Sequence, residues 1–224
     1  MTTFILIAGA CHGGWWYDAV VSELGDRGHL ALAVTLLGLD PDFDGSHDAI
    51  NLDRHVAQVC EVVEHVAAST GSPVVLVGHS YGGSVITAVA DGLPDSVSAL
   101  IYLDAFVPED GQSCYAMTDD QQRRWYIDGA SSTGFVVDPL PFFDPRARPH
   151  PLGSLIQASR LTGAWTSVVV KHYVAADEWV GRSPFADVAE RLEADPDWQV
   201  HHWPVSHNVL RDGPDRLLQL LDNL

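Results

Sequence analysis

The chain has 224 residues, 46% of them hydrophobic, enough to bury one substantial core, and no Pro-, Gly- or Ser-rich linker divides it. Its formal net charge of −18, with Lys171 as the only lysine, excludes nucleic acid and anionic membrane surfaces as expected partners, because both would be repelled. Cys11, Cys60 and Cys114 are too few for a disulfide framework, and the apolar first ten residues lack a basic flank and cannot span a bilayer. The expectation is an unprocessed, cytoplasmic chain folded as one domain.

No metal or cofactor is expected either. His201-His202 and His207 match neither a helical His-x-x-x-His pair nor a Cys/His zinc spacing, and no carboxylate-rich loop suggests calcium. Gly-x-Gly-x-x-Gly and phosphate-binding loops are missing from the sequence.

In chain order, residues 3–8 are an apolar run, and Gly9-Ala10-Cys11-His12-Gly13-Gly14 is a small-residue turn before a helical pattern carrying Trp16, Val20, Val21 and Leu24. Residues 29–36 read as a second strand, followed by a polar loop over 38–48. The stripe Val56, Val59, Val63 and Val66 predicts a helix over 52–68 with Asn51 as its N-cap. Residues 73–77 are a strand running into Gly78-His79-Ser80-Tyr81-Gly82, after which a helix is predicted over 83–90. Strands follow at 97–103, 168–174 and 198–203, and a last helix at 214–221. Strands alternating with helices, most of them apolar on both faces, predict an α/β fold with a mostly parallel sheet covered by helices on both sides.

A glycine-flanked serine on a sharp strand-to-helix turn is a nucleophile elbow, where the strained turn leaves no room for neighbouring side chains. The bare Gly-x-Ser-x-Gly pattern arises by chance about 0.1 times in a chain of this composition, so the strand before it and the helix after it carry the inference that Ser80 is a nucleophile. A serine hydroxyl is a poor nucleophile at neutral pH and needs a base to accept its proton. The backbone N–H of Tyr81, opening the helix, suits one side of an oxyanion hole.

Residues 108–166 break the alternation. Thr118 with Gln121 three residues on predicts a capped helix, and a second helix is predicted over 152–161 with Gly163 beyond its end. Between them lies an irregular stretch with Pro139, Phe142, Phe143, Pro145, Pro149 and Pro151. An insertion of this length between core strands reads as a cap over the strand ends, where open α/β sheets bind ligands. Trp125, Phe142 and Phe143 are candidates to line a pocket for a neutral, partly aromatic small molecule, or else to seal the cap onto the core. Arg123-Arg124 either meets a substrate carboxylate or lies solvated on a polar helix.

Four segments together resemble the α/β-hydrolase superfamily: Leu6-Ile7-Ala8-Gly9-Ala10-Cys11-His12-Gly13-Gly14-Trp15, the elbow through Gly83, Tyr102-Leu103-Asp104-Ala105-Phe106-Val107-Pro108, and the late His207. Within it they are most similar to the branch of plant methylesterases and hydroxynitrile lyases with their bacterial relatives. The resemblance implies that His207, in the loop after the last strand, is the base for Ser80, and that the Ala10 N–H completes the oxyanion hole with Tyr81. It implies a substrate pocket bordered by Cys11, His12, Trp15, Trp16 and His79, the last as a structural or edge residue.

The sequence departs from the family pattern twice. Ala8 stands where members usually carry a histidine, and Trp179 stands at the common position of the acid that orients the catalytic histidine. Asp104, at an alternative acid position used elsewhere in the superfamily, is favoured over Asp177, which lies near Trp179 but out of step. The resemblance implies hydrolysis of a small or medium carboxylic ester through an acyl-serine. A cofactor-independent lyase or cyclase using the same Ser/His pocket, or a ligand receptor, are the alternatives; the lysine that plant hydroxynitrile lyases carry after the histidine is Asn208 here.

Overall fold

The computed structural model describes all 224 residues. Its strands are β1 (Thr3–Ile7), β2 (Leu30–Val34), β3 (Val74–His79), β4 (Val97–Leu103), β5 (Val136–Val137), β6 (His150–Pro151), β7 (Val170–Ala176) and β8 (Gln199–Trp203). Its α-helices are α1 (Asp18–Asp26), α2 (Leu52–Thr70), α3 (Gly82–Gly92), α4 (Cys114–Met117), α5 (Asp120–Gly129), α6 (Leu152–Ile156), α7 (Ala186–Glu193), α8 (Val209–Asp212) and α9 (Pro214–Asp222). Six strands form one sheet in the order β2-β1-β3-β4-β7-β8, with every neighbouring pair parallel.

The period-2 geometry of a strand sends successive side chains to opposite faces, and both faces are apolar here. Ile5, Ile7, Leu76, Leu100, Tyr102 and Tyr173 meet Val59 and Val63 of α2, Val85 and Val89 of α3 and Leu192 of α7 in one core. Phe4, Leu6, Val75, Val77, Ile101 and Val174 meet Val20 and Leu24 of α1 and Leu217 and Leu221 of α9 in the other. The α2 helix starts as its sequence predicts, with Asn51 Oδ1 accepting the Arg54 N–H at 3.1 Å. Strand β2 differs from the expectation of burial: it is an edge strand, so Leu30 and Leu32 remain partly exposed despite their apolar run.

Between β4 and β7 the chain builds α4, α5, a two-stranded antiparallel β5-β6 pair and α6. The first predicted cap shifts by one residue: Asp119, not Thr118, accepts the Gln122 N–H at 2.8 Å, and the Thr118 hydroxyl bonds the Gln122 side chain instead. The second predicted helix stops at Ile156 rather than continuing to residue 161. Tertiary acceptors take its backbone donors, with Ser159 N bonded to Gln112 O, Leu161 N to Asp110 and Thr162 N to Asp91. Arg123 is spent on structure, donating to the carbonyls of Tyr115 and Ala116 at the end of α4 and pairing with Asp120.

His55, His79 and His150 are buried inside this framework. Burial disfavours the charged imidazole, pushing His55 down to about 4 and His79 and His150 well below the ordinary histidine range. Below about pH 6.5 the unfolded chain binds a proton at each of these residues while the folded chain does not, so stability is present above that pH and falls as pH drops. Urea unfolding at pH 7.5 and 5.5 should show a loss of about 4 kcal/mol from the three histidines together, with roughly one third of it removed by His55→Gln. A stability flat across that interval would mean that these rings hold protons in the folded state.

Candidate active site

Ser80 sits between β3 and α3 with φ +50°, one of three non-glycine residues in the left-handed region; the others are Cys11 and Asp104. All three lie beyond the C-terminal ends of parallel strands β1, β3 and β4, where the chain must reverse sharply. The turn at Ser80 is tied down by its own backbone: Ser80 N–H donates to Leu103 O, and Ser80 O accepts from Gly83 N–H and Phe106 N–H, both at 3.1 Å. Space explains the glycines. A Cβ on Gly82 would lie 2.4 Å from Ile7 O, and one on Gly83 would lie 2.2 Å from Phe106 O. A Cβ on Gly9 would lie 3.0 Å from Ser80 Cβ and 2.8 Å from His79 Nδ1, so the loop after β1 reaches the serine only because it has none.

His207 lies in the loop between β8 and α8. Its Nδ1–H donates to Asp104 Oδ2 at 2.6 Å, a short charge-assisted hydrogen bond to a carboxylate that is 1% exposed. The Trp179 indole N–H donates to the same Oδ2 at 3.0 Å, and the Ala176 N–H reaches Oδ1 at 3.3 Å. Three donors on one buried carboxylate satisfy it and fix its direction. His207 is also clamped laterally, stacked on Phe185 with centroids 5.4 Å apart and tilted on Trp179 at 5.0 Å. His79, the residue before Ser80, donates from Nε2 to His207 O at 2.9 Å, so the histidine loop is docked onto the elbow itself.

This arrangement separates the two candidate acids. Asp104 meets His207, whereas Asp177 is half exposed and bonded at 2.9 Å to His202, which also pairs with Glu193. Asp177 lies instead in a surface ion pair, where its carboxylate and that of Glu193 raise the proton affinity of His202. Trp179, which the family resemblance puts at the usual position of the acid, instead donates to the carboxylate of Asp104, the residue after β4. That role carries no signal in a single sequence, since an indole partner is recognised only once its acceptor is in place.

The candidate pocket residues divide in the same way. His12 is half-buried among aromatic rings, with Trp16 at 4.9 Å, Phe143 at 5.0 Å and Trp15 at 5.5 Å. Trp16 in turn meets His79 edge-on at 4.3 Å, and Trp15 lies under the Arg146 guanidinium at 4.1 Å. Phe143 and Trp125 are neighbours at 5.9 Å, with the Trp125 indole N–H held by Asp138 O. Two candidates are corrected. Phe142 is 80% exposed and only edges Phe143, because the turn directs the first ring to solvent and the second, half-buried, toward His12. Cys11 is fully buried, its thiol turned by the left-handed backbone toward Val137 O, and burial raises the thiol so that it stays protonated. Tyr81 is fully buried too, donating its hydroxyl to His55 Nδ1 at 2.8 Å. His79 is 4% exposed and serves as structure.

Comparison with known proteins places the whole chain in one family. A carbendazim hydrolyzing esterase of Nocardioides sp. (strain SG-4G) is 32% identical over 242 residues, covering 99% of this chain and 98% of that protein. Salicylic acid-binding protein 2 of Nicotiana tabacum is 28% identical over 159 residues, 68% of this chain and 60% of its own length. Among solved structures, an extracellular alpha/beta-hydrolase from a Paenibacillus species superposes with a TM-score of 0.81 at 21% identity, over 100% of this chain and 98% of that one. A family model described as the alpha/beta hydrolase family matches residues 4–220. With a parallel sheet, a strained serine at the end of β3 and a histidine loop docked against it, the chain belongs to the alpha/beta hydrolase family.

Proposed function

We propose that this carboxylic ester hydrolase works through an acyl-serine on Ser80, with His207 as general base and acid and Asp104 as the group that orients it. The observation that carries the reading is the His207–Asp104 hydrogen bond, built on a loop that His79 anchors to the elbow. The full-length relative is named an esterase, and a relative from Sphingobium wenxiniae, 34% identical over 111 residues, a pyrethroid hydrolase; the match covers 50% of this chain and 38% of that protein.

The chemistry follows the placement of the groups. His207, held by Asp104 in the tautomer that bears its proton on Nδ1, presents Nε2 as the acceptor for the serine proton. Ser80 attacks the ester carbonyl, and negative charge develops on the carbonyl oxygen. The N–H groups of Tyr81 and Ala10 receive that oxygen, Tyr81 being the residue that opens α3, whose dipole adds to the attraction. His207 then protonates the departing alcohol and activates the water that releases the acid. Asp104 remains a carboxylate throughout, with the Trp179 and Ala176 N–H groups holding it. Residues 108–166 act as a cap, bringing Phe143 and Trp125 onto the aromatic group around His12, which favours a neutral, partly aromatic substrate.

The lysine of plant hydroxynitrile lyases finds no substitute elsewhere in this chain. Lys171 is buried at the far end of β7, where its ammonium donates to Thr166 O and Val168 O. The free thiols of Cys11, Cys60 and Cys114 support a reducing, cytoplasmic setting, and no helix is long and apolar enough to cross a membrane.

The mechanism is tested by Ser80→Ala and His207→Ala, each of which should lower ester turnover by roughly 10⁴- to 10⁶-fold with the melting temperature retained, and Ser80→Ala should abolish labelling by a fluorophosphonate. Turnover within tenfold of the parent in both variants would exclude the acyl-serine.

The acid is tested separately. Asp104→Asn should cost about 10²- to 10⁴-fold in kcat, and Asp177→Asn less than about twofold. Trp179→Phe, which keeps the packing against His207 and Phe185 but deletes one donor to Asp104, should cost about 3- to 30-fold. Steady-state kinetics of the three variants rank these roles directly, and a larger loss in Asp177→Asn than in Asp104→Asn would reverse the assignment.

A further inference from the structure

One peptide group beside the serine is held at both ends by histidines. The carbonyl of the Ala10–Cys11 peptide accepts a hydrogen bond from His12 Nδ1–H at 2.8 Å, and the N–H of the same peptide donates to His150 Nδ1 at 3.2 Å. His12 belongs to the loop after β1, whereas His150 arrives from β6, 139 residues along the chain. The next peptide is tied to the same insertion, because Arg148 N–H donates to Cys11 O at 2.9 Å. Cys11 itself has φ +68°, a conformation that costs a non-glycine residue about 1–2 kcal/mol unless its surroundings impose it.

The hydrogen bonds of His150 are mutually consistent. Ser154 gives its hydroxyl proton to Pro151 O at 2.8 Å, so Ser154 Oγ accepts from His150 Nε2–H at 2.9 Å and leaves Nδ1 as an acceptor for Cys11. Burial keeps the ring neutral. The same ring meets Tyr81 edge-on with centroids 4.7 Å apart, while the Tyr81 hydroxyl is anchored to His55 on α2. One fully buried side chain of the insertion thus touches the residue after Ala10 and the residue after Ser80.

We infer that His150 is a positioning residue of the oxyanion hole, fixing the Ala10–Cys11 peptide through Nδ1 and packing its ring on Tyr81 so that the N–H groups of Ala10 and Tyr81 converge on one point. The inference rests on the reading of Ser80 as the acyl-accepting nucleophile. It gives residues 108–166 a part in the chemical step beyond covering the pocket, because His150 on β6 supplies the acceptor of the Cys11 N–H and so supports the left-handed turn.

The test compares His150→Phe, which retains a ring against Tyr81 but has no acceptor, with His150→Asn, whose Oδ1 stands near the place of Nδ1. With a p-nitrophenyl ester, His150→Phe should lower kcat about 10- to 100-fold with KM within about threefold, because the donors matter most when charge is on the oxygen. A trifluoromethyl ketone, which adds to Ser80 and places an oxyanion in the hole, should bind more weakly by a similar factor. His150→Asn should recover at least about tenfold of both losses. Amide hydrogen exchange at Cys11, read on the intact proteins without substrate, should be faster in His150→Phe and restored toward the parent in His150→Asn.

The inference is overturned if His150→Phe retains parental kcat and ketone affinity, or if His150→Asn is as impaired as His150→Phe. Unchanged Cys11 exchange overturns it as well. Should His150→Phe not fold, Ser154→Ala, which frees the ring from its Nε2 partner, takes its place with the same expected direction and the same exchange measurement. A parent that turns over no ester fails the esterase reading alone, while the exchange comparison still decides whether His150 holds the loop.

Discussion

The reversal of the chain at Ser80 is the constraint on which the rest of this structure depends. A serine at φ +50° is unfavourable by itself, yet it is held by three backbone hydrogen bonds to β4 and the residues that follow it and by α3, which starts two residues later. Those bonds require backbone to pass over backbone at contact distance, and only glycine at positions 82 and 83 permits it. The consequence is geometric. A parallel sheet gathers its C-terminal loops at one edge, and the reversal lifts one hydroxyl-bearing residue above that edge, where the loops after β1, β4 and β8 converge on it.

The carboxylate beside His207 and its indole partner come from loops after two different strands. The carboxylate that orients His207 comes from Asp104, itself at φ +44°, directly after β4. Trp179, on the loop after β7, contributes a donor and a flat apolar face. A buried carboxylate with one imidazole partner would leave lone pairs unsatisfied, at a cost of about 1–3 kcal/mol each. The indole N–H and the Ala176 N–H remove that cost and hold the carboxylate in the orientation His207 requires. Asp177, only two residues before Trp179, is left to the surface and to His202.

Three buried histidines tie separate elements together, and neutral imidazole is suited to that place. His55, His79 and His150 each make at least one hydrogen bond across elements: His55 to Tyr81, His79 to His207, His150 to Cys11. An imidazole supplies one donor and one acceptor without a charge to desolvate, so it joins backbone to side chain in places where a carboxylate or ammonium would be expensive. The same property lets His150 link the segment from β5 to α6 to the loop after β1.

Local patterns in the chain specify the class of the fold and the order of its elements. Apolar runs bounded by turn residues marked all six sheet strands, the valine stripe and Asn51 marked α2, and the elbow with its strand and helix marked Ser80. Local chemistry of this kind is legible because spacing alone encodes it. Its limits appeared where partners are distant. Residues 157–161 did not continue their helix because Gln112 and Asp110 claim donors of that stretch, and β2 lies at an edge although its composition is that of a buried strand. Asp104 and Asp177 are both acids near strand ends, and only the meeting of β4 with the loop after β8 decides which one faces His207. Phe142 and Phe143 are adjacent identical side chains, and one turn sends the first to solvent and the second to His12. Trp179 and His150 had no local signature at all, because a residue that acts by donating to or accepting from a group more than 70 residues away is defined by the fold that brings the two together.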